Sequence, residues 1–130
     1  MGAMPHILIV DDHEFVREAL CNLIKIDEPA WQLSEATDGS EAVEIFRKTG
    51  PEVVVLDIVM RGMNGVAAAY EIRKISPDAK FVFISDYYAG AEASMFACVI
   101  HAAAFVQKAE AGRVLIPTIK RLLNEETQPV

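Results

Sequence analysis

The 130-residue sequence lacks any apolar run near the roughly 20 residues that a membrane-spanning helix needs. The first residues show no basic segment followed by an apolar one, so we expect no signal peptide, no membrane association and a cytoplasmic location. Positive charge is also scarce, because 12 Lys and Arg stand against 19 Asp and Glu and the net charge is −7. Since nucleic-acid phosphates are bound by clustered Lys and Arg, we expect no direct binding of DNA or RNA.

Cysteine and histidine are rare as well. The two cysteines, Cys21 and Cys98, each lie in an apolar helical pattern, which favours buried, reduced thiols over a disulfide. The three histidines, His6, His13 and His101, show no metal-ligand spacing among themselves. We therefore expect the histidines to be ordinary surface or turn residues.

The sequence does have the composition of a folded domain, with 52% hydrophobic and 24% charged residues. Its length suits a single domain with a normal core. We expect this domain to span residues 5–124. Residues 1–4 look like an expression remnant that ends at a natural start, Met4, and residues 125–130 look like a polar tail.

Short apolar segments predict five β-strands. Four of them are continuous runs, which are typical of strands buried on both faces of a sheet. The remaining segment, Trp31–Ala36, alternates enough to be an edge strand. The continuous runs are Ile7–Val10, Val53–Leu56, Phe81–Ile84 and Ala103–Val106.

A helical pattern follows each predicted strand, which gives five helices. Asp12 is expected to cap the first helix, and Asp38 the second, with Glu41 completing a capping box. The Ala-rich segment 87–100 predicts the fourth helix, and Pro117 should kink the last helix or delay its start. Strands that alternate with helices predict an α/β fold with helices on both faces of a parallel sheet.

Polar residues stand where these strands end. Asp11 and Asp12 follow the first strand, Asp57 the third, Ser85 the fourth and Lys108 the fifth. In a parallel sheet all these ends lie at one edge, where ligands bind in open α/β folds. Each residue alone would be an ordinary helix cap, turn residue or solvated lysine, so the functional signal lies in their convergence.

The three carboxylates at this edge require positive charge among them. Two like charges 4 Å apart cost about 4 kcal/mol at an effective dielectric constant near 20. Lys108 supplies one positive charge, and a divalent cation with oxygen ligands, such as Mg²⁺, would supply two. A carboxylate, a lysine and Mg²⁺ together are suited to phosphoryl transfer onto an aspartate.

This arrangement of Asp-Asp, Asp, Ser and Lys resembles the receiver domain of two-component response regulators. The segment Asp57–Gly65 is similar to the loop after the phosphorylated aspartate, especially in LuxR/NarL-type transcription regulators. The resemblance implies a flavodoxin-like (CheY-like), doubly wound sheet of five parallel strands in the order 2-1-3-4-5 with five helices. It also implies that residues 125–130 begin a linker to an output domain outside this chain.

The resemblance further implies the metal ligands. Asp12, Asp57 and the backbone carbonyl of Val59 would hold Mg²⁺ (or Mn²⁺) directly. Asp11 would act through a water molecule. Asp57 would thus be both a metal ligand and the phosphoacceptor.

The same resemblance assigns the remaining residues of the pocket. Ser85 would donate a hydrogen bond to the phosphoryl group, and Lys108 would pair with it. Phe105 occupies the place of the switch aromatic, which turns inward when Ser85 is drawn to the phosphate. New charge-assisted bonds at one end would thus bias a two-state surface.

The resemblance also implies partners. A sensor histidine kinase or phosphotransfer protein would donate the phosphoryl group to this domain, which is a switch that catalyses only its own phosphorylation and dephosphorylation. A phosphorylation-dependent homodimer could form through the first and last helices, or through the fourth helix, fifth strand and fifth helix. The output would be a DNA-binding domain.

Some positions depart from the family pattern. Arg61 stands where the family usually has a proline, Asp86 where it has a small residue, and Ala109 where many members have a proline. These departures leave open an alternative function, in which the receiver fold binds proteins constitutively without being phosphorylated. A second alternative is a Mg²⁺-dependent phosphatase with an aspartate nucleophile. Such an enzyme usually has a second Asp two residues beyond the nucleophile as acid/base, and the presence of Val59 there argues against this alternative. Val59 and Tyr87 offer no carboxylate or amide to orient an attacking water, which predicts slow self-dephosphorylation.

Overall fold

A computed structural model describes residues 4–86 and 103–125. These residues form one five-stranded sheet in the order β2-β1-β3-β4-β5, and every pair of neighbouring strands is parallel. The predicted doubly wound order 2-1-3-4-5 is confirmed. The strands are β1 (His6–Val10), β2 (Gln32–Ala36), β3 (Val53–Asp57), β4 (Lys80–Ser85) and β5 (Ala103–Gln107).

The central strand β3 is buried along its whole length. Val55 lies opposite Ile9 of β1 on one side and Val82 of β4 on the other. Because neighbouring residues of a strand point to opposite faces, β3 contributes to two hydrophobic clusters. This explains why its sequence is a continuous apolar run rather than an alternating one.

Four α-helices occur in the described residues, two on each face of the sheet. The cluster on one face includes residues of α2 (Gly39–Thr49) and α3 (Gly65–Ile75). The cluster on the other face includes residues of α1 (Glu14–Asp27) and α4 (Ala111–Glu125). A 3₁₀ turn, Lys108–Glu110, precedes α4. The helix expected over residues 87–100 lies outside the described residues, as do Tyr87, Cys98 and His101.

The starts of α1 and α2 each differ from expectation in one respect. The N-cap position of α1 is His13, and its side chain makes no capping hydrogen bond. The expectation that Asp12 caps this helix is therefore wrong, because its carboxylate accepts from the distant backbone N–H of Arg61 instead. Asp38 does cap α2, accepting from the backbone N–H of Glu41 at 2.8 Å. The Glu41 carboxylate accepts from the backbone N–H of Thr37 at 2.7 Å, one residue before the cap, so the predicted reciprocal bond of a capping box to Asp38 is not formed.

The last helix accommodates its proline. α4 begins at Ala111, well before Pro117, so the expectation that Pro117 delays the start of the helix is wrong. Leu115, Ile119 and Leu122 of this helix are buried against the sheet. Their apolar packing outweighs the missing proline hydrogen bond. Across the described ranges, none of the helices has the length and apolar character to cross a membrane.

Candidate functional site

The carboxyl edge of the sheet brings four strand ends together. Asp11 directly follows β1, Asp57 ends β3, Ser85 ends β4 and Lys108 directly follows β5. The parallel register fixes this convergence, since Asp57 is paired with Ile84, the residue before Ser85. All four positions were predicted from the order of apolar runs and polar residues.

Asp57 and Lys108 form the centre of the site. The Asp57 side chain is 3% exposed, and its Oδ2 lies 3.3 Å from Lys108 Nζ. Lys108 Nζ also lies 3.5 Å from Asp11 Oδ2. Burial, with a further contribution from the Asp11 carboxylate, raises the pKa of Asp57 to about 6, although Lys108 opposes the shift. Burial alone would lower the pKa of Lys108, but the carboxylates of Asp57 and Asp11 raise it.

Two carboxylate oxygens of the site lack hydrogen-bond partners. Among the described residues, Asp11 Oδ2 and Asp12 Oδ1 are buried and accept no hydrogen bond. Such orphaned oxygens are costly unless a cation or water satisfies them. Together with Asp57, they suit a hard divalent cation that prefers oxygen ligands.

His13 belongs to this cluster, contrary to the expectation of an ordinary surface or turn residue. Asp11, Asp12, His13 and Asp57 each offer one ligand atom, and these atoms lie within 4.8 Å of one another. His13 Nδ1 lies 3.3 Å from Asp11 Oδ1 and 3.1 Å from Asp12 Oδ1. Its position directly after Asp11-Asp12 was the available signal, which a search for His–His spacing missed.

Arg61 also contacts this cluster, and sequence reasoning did not predict its contact with Asp12. Its backbone N–H donates to Asp12 Oδ2 at 3.2 Å, and its side-chain Nε lies 3.5 Å from the same oxygen. Burial pushes the pKa of Asp12 upward, but the Arg61 backbone, His13 and the Arg61 guanidinium together lower it. Asp12 therefore stays ionised between two basic side chains.

The loop between β3 and α3 closes tightly on Asp57. Val59 N–H donates to Asp57 Oδ1 at 3.4 Å, and the Val59 side chain is 69% exposed. Gly65 N–H donates to Ile58 O at 3.0 Å. A Cβ at Gly65 would lie 2.2 Å from the backbone oxygen of Asp57, so only glycine fits there without rearrangement. Asn64 caps α3 by accepting from Ala67 N–H at 2.9 Å.

Ser85 and Phe105 lie on the β4–β5 side of the site. Ser85 is buried, and Phe105 is 40% exposed on β5. The Phe105 ring stacks on Phe83 with centroids 5.5 Å apart. The neighbouring Asp86 is exposed, and its charge contributes to the raised pKa of Lys108. The Lys108–Ala109 peptide is trans, since no cis peptide occurs in the described chain.

Comparison with known proteins identifies the family that this arrangement belongs to. The model of the response regulator receiver domain matches residues 7–120. The chain belongs to this receiver-domain family. It is thus the receiver domain of a two-component response regulator, and the predicted resemblance is confirmed.

Its relatives include regulators of transcription and of chemotaxis. The receiver is 33% identical over 84 residues to the transcriptional regulatory protein LiaR of Bacillus subtilis, a match that covers 65% of this chain and 40% of LiaR. It is 42% identical over 80 residues to the chemotaxis protein CheY of Thermotoga maritima, covering 61% of this chain and 65% of CheY. Protein-glutamate methylesterases also match.

Solved structures place the receiver near the LuxR family. A LuxR-family two-component response regulator from Aurantimonas sp. SI85-9A1 has a TM-score of 0.85 and 28% identity, with 95% of this chain and 87% of that chain covered. The receiver spans less than half the length of LiaR and of the methylesterases that it matches.

Proposed function

We propose that the receiver is a phosphoryl-accepting switch in which Asp57 takes a phosphoryl group from a sensor histidine kinase or phosphotransfer protein. The observation that carries this proposal is the buried Asp57 carboxylate, held 3.3 Å from the Lys108 ammonium at the edge where the strands end. An Asp57 oxygen forms the bond to phosphorus as the bond from phosphorus to the donor histidine nitrogen breaks. That nitrogen keeps the electron pair.

In this proposal Asp12, Asp57 and the Val59 carbonyl would hold Mg²⁺ (or Mn²⁺) directly, and Asp11 would act through water. The buried oxygens of Asp11 and Asp12 that accept no hydrogen bond support this assignment. A cation bound there would neutralise charge on the phosphoryl oxygens and favour the ionised, nucleophilic form of Asp57. Burial raises the pKa of that carboxyl to about 6.

Ser85 and Lys108 bind the phosphoryl group once it is on Asp57. Lys108 already contacts two carboxylates, so it can shift toward the added negative charge without leaving the pocket. Ser85 is buried at the end of the neighbouring strand, from which its hydroxyl can donate to a phosphoryl oxygen. In this proposal the Phe105 ring, which is 40% exposed on β5, turns inward when Ser85 is drawn to the phosphoryl group and so changes the surface.

The proposed output of this switch is the control of transcription. The LuxR-type relatives support transcription control by a DNA-binding domain, with the receiver itself not touching nucleic acid. A phosphorylation-dependent homodimer would carry the signal to that domain. The switch would act in the cytoplasm, where histidine kinases expose their phosphorylated histidine.

A second candidate is a receiver that binds proteins constitutively, without phosphorylation. Two observations favour it: Arg61 contacts Asp12, and Asp86 adds negative charge beside Lys108. The positive charge of Arg61 would oppose the loading of Mg²⁺, and the negative charge of Asp86 would oppose the approach of an anionic phosphodonor.

Intact-protein mass spectrometry after incubation with Mg²⁺ and acetyl phosphate separates the two candidates. We expect the wild type to gain the mass of one phosphoryl group, and Asp57→Asn to gain none. Asp78→Asn is the matched control, because Asp78 is exposed in the turn after α3. If neither the wild type nor the control gains mass, and beryllofluoride does not bind, the phosphoryl-accepting function is excluded and the constitutive one stands.

A further inference from the structure

Arg61 makes two contacts with the same oxygen of Asp12. Its backbone N–H lies 3.2 Å and its side-chain Nε 3.5 Å from Asp12 Oδ2. The Asp12 side chain is only 11% exposed, whereas the Arg61 side chain is 91% exposed. The acceptor is therefore fixed in the pocket, while the guanidinium reaches it from solvent.

The guanidinium and a divalent cation would need the same carboxylate. Asp12 Oδ1 lies 3.1 Å from His13 Nδ1 but accepts no hydrogen bond among the described residues, whereas Oδ2 accepts from the Arg61 backbone N–H. A cation entering the cluster thus meets a positive charge already at the rim, and two positive charges close to one carboxylate repel. The mostly solvated side chain of Arg61 can leave Asp12 with little loss of packing.

We propose that the Arg61 guanidinium is a resident counterion of Asp12, which a divalent cation displaces as it binds, so that Arg61 weakens metal binding by the receiver. This inference rests on the proposed role of Asp12 as a metal ligand. It makes Arg61 a positioning residue for the reaction, because it acts on the metal site and not on the phosphoryl group. A receiver of this kind is loaded only at higher concentrations of Mg²⁺ than one with a neutral residue at this position.

Removal of the charge should tighten metal binding. Arg61→Gln keeps the backbone N–H that donates to Asp12 and removes only the guanidinium. Since an ion pair with one exposed partner is worth little, we expect the dissociation constant of Mn²⁺ to fall by about two- to fivefold. The difference between wild type and variant should shrink as salt is added, because the guanidinium is exposed to screening.

The test is a Mn²⁺ titration of the whole chain followed by electron paramagnetic resonance of the free ion, which requires no phosphorylation. Arg47→Gln is the matched control, because Arg47 pairs with Glu44 on the exposed face of α2 and carries the same charge. Arg61→Lys, which keeps the charge, should bind Mn²⁺ about as the wild type does. In an Asp12→Asn background, Arg61→Gln should no longer tighten binding.

The outcomes separate this inference from the proposed function. Tighter binding by Arg61→Gln alone, lost in the Asp12→Asn background, supports the inference. Equal changes in Arg61→Gln and Arg47→Gln, an unchanged or weaker affinity of Arg61→Gln, or no Mn²⁺ binding by any variant overturns it. Phosphorylation of Asp57 at saturating Mg²⁺ is measured in a separate experiment. If Asp57 is phosphorylated while Arg61→Gln binds metal like the wild type, only the inference fails. If the affinity shifts but Asp57 is never phosphorylated, only the proposed function fails.

Discussion

The two ends of the parallel sheet carry polar clusters of opposite character. At the amino end, His6 N–H donates to Glu52 Oε1 at 2.8 Å, and His6 Nε2 lies 2.7 Å from Ser34 Oγ. Glu52 N–H returns a bond to His6 O at 2.9 Å. At the carboxyl end, by contrast, two buried carboxylate oxygens lack hydrogen-bond partners within the described chain. The His6, Ser34 and Glu52 groups at the amino end satisfy one another, although Arg73 Nη2 near the start of β4 has no hydrogen-bond partner among the described residues. The carboxyl end instead clusters carboxylates that suit a further, positively charged group.

This difference has an energetic meaning. Mutually satisfied polar groups stabilise a fold, whereas clustered, partly unsatisfied carboxylates destabilise it until a ligand arrives. Substitutions at the carboxyl end should therefore separate stability from function, and those at the amino end should change stability alone. Four substitutions test this contrast, starting with the largest expected effect.

Gly65→Ala should destabilise the receiver by about 3 kcal/mol, because the new Cβ would overlap the backbone oxygen of Asp57 and push the loop from the site. Urea denaturation measures this loss. Gly112→Ala is the control: nothing lies within 4 Å of a Cβ there, in the first turn of α4. That variant should be as stable as the wild type or slightly more stable. Equal losses in both variants would contradict the steric explanation.

Asp57→Asn should stabilise the receiver by about 2 kcal/mol at pH 7.5 in the absence of divalent cations, while abolishing phosphorylation. Burial raises the pKa of Asp57 from 3.8 to about 6, so the folded state holds its proton more tightly than the unfolded state does. Wild-type stability from this group is therefore greatest below about pH 4 and declines as the pH rises toward about 6.

The gain in unfolding free energy from Asp57→Asn should therefore grow as the pH rises from about 4 to about 6. Urea denaturation of both proteins in EDTA between pH 4 and pH 8 measures it, and the two stabilities should converge at the acidic end. Asp78→Asn controls for the loss of one exposed charge. A variant that is less stable than the wild type at pH 7.5 would show that the pair with Lys108 outweighs the burial of the carboxylate.

Val59→Asn should accelerate loss of the phosphoryl group from Asp57 by roughly tenfold, because an amide can orient the attacking water and the exposed valine cannot. The measurement is the decay of phosphorylated protein in Mg²⁺ after the phosphodonor is removed. Val59→Thr, which is similar in shape, is the comparison. A wild-type half-life of only seconds would contradict the prediction of slow self-dephosphorylation.

Ser34→Ala tests the amino end and should have the smallest effect. The loss of the hydrogen bond to His6 should cost about 1 kcal/mol of unfolding free energy. Phosphorylation of Asp57 and Mn²⁺ affinity should not change. A clear change in either would mean that the two ends of the sheet are coupled.

Much of the fold followed from local sequence. Continuous apolar runs located β1, β3, β4 and β5, and alternation located the edge strand β2, because burial on one or two faces determines the pattern along a strand. The cap of α2 at Asp38 was also predictable, since a capping bond spans only three residues.

The site was predictable where it depends on strand ends and not where it depends on loops. Asp57 and Lys108 meet because parallel strands end at one edge. The contact between Asp12 and Arg61 joins residues 49 positions apart through a loop, and no local pattern encodes it. Asp12 was assigned to a helix cap as well as to the metal site, and the cap assignment failed because its carboxylate accepts from Arg61 across the pocket. Pro117 was expected to kink the last helix or delay its start, and only the delayed start is wrong, because tertiary packing helps to decide whether a helix accommodates a proline.

The position of the loop residues above the buried sheet has a consequence for how receiver domains diverge. Val59, Arg61 and Asp86 are exposed and lie just beyond strands β3 and β4, outside the layers of buried side chains. For the proposed phosphorylation of Asp57, we expect mutations at these positions to change the rates of phosphoryl gain and loss while the folding stability is kept. Response times could then evolve one loop residue at a time, without repacking of the interior.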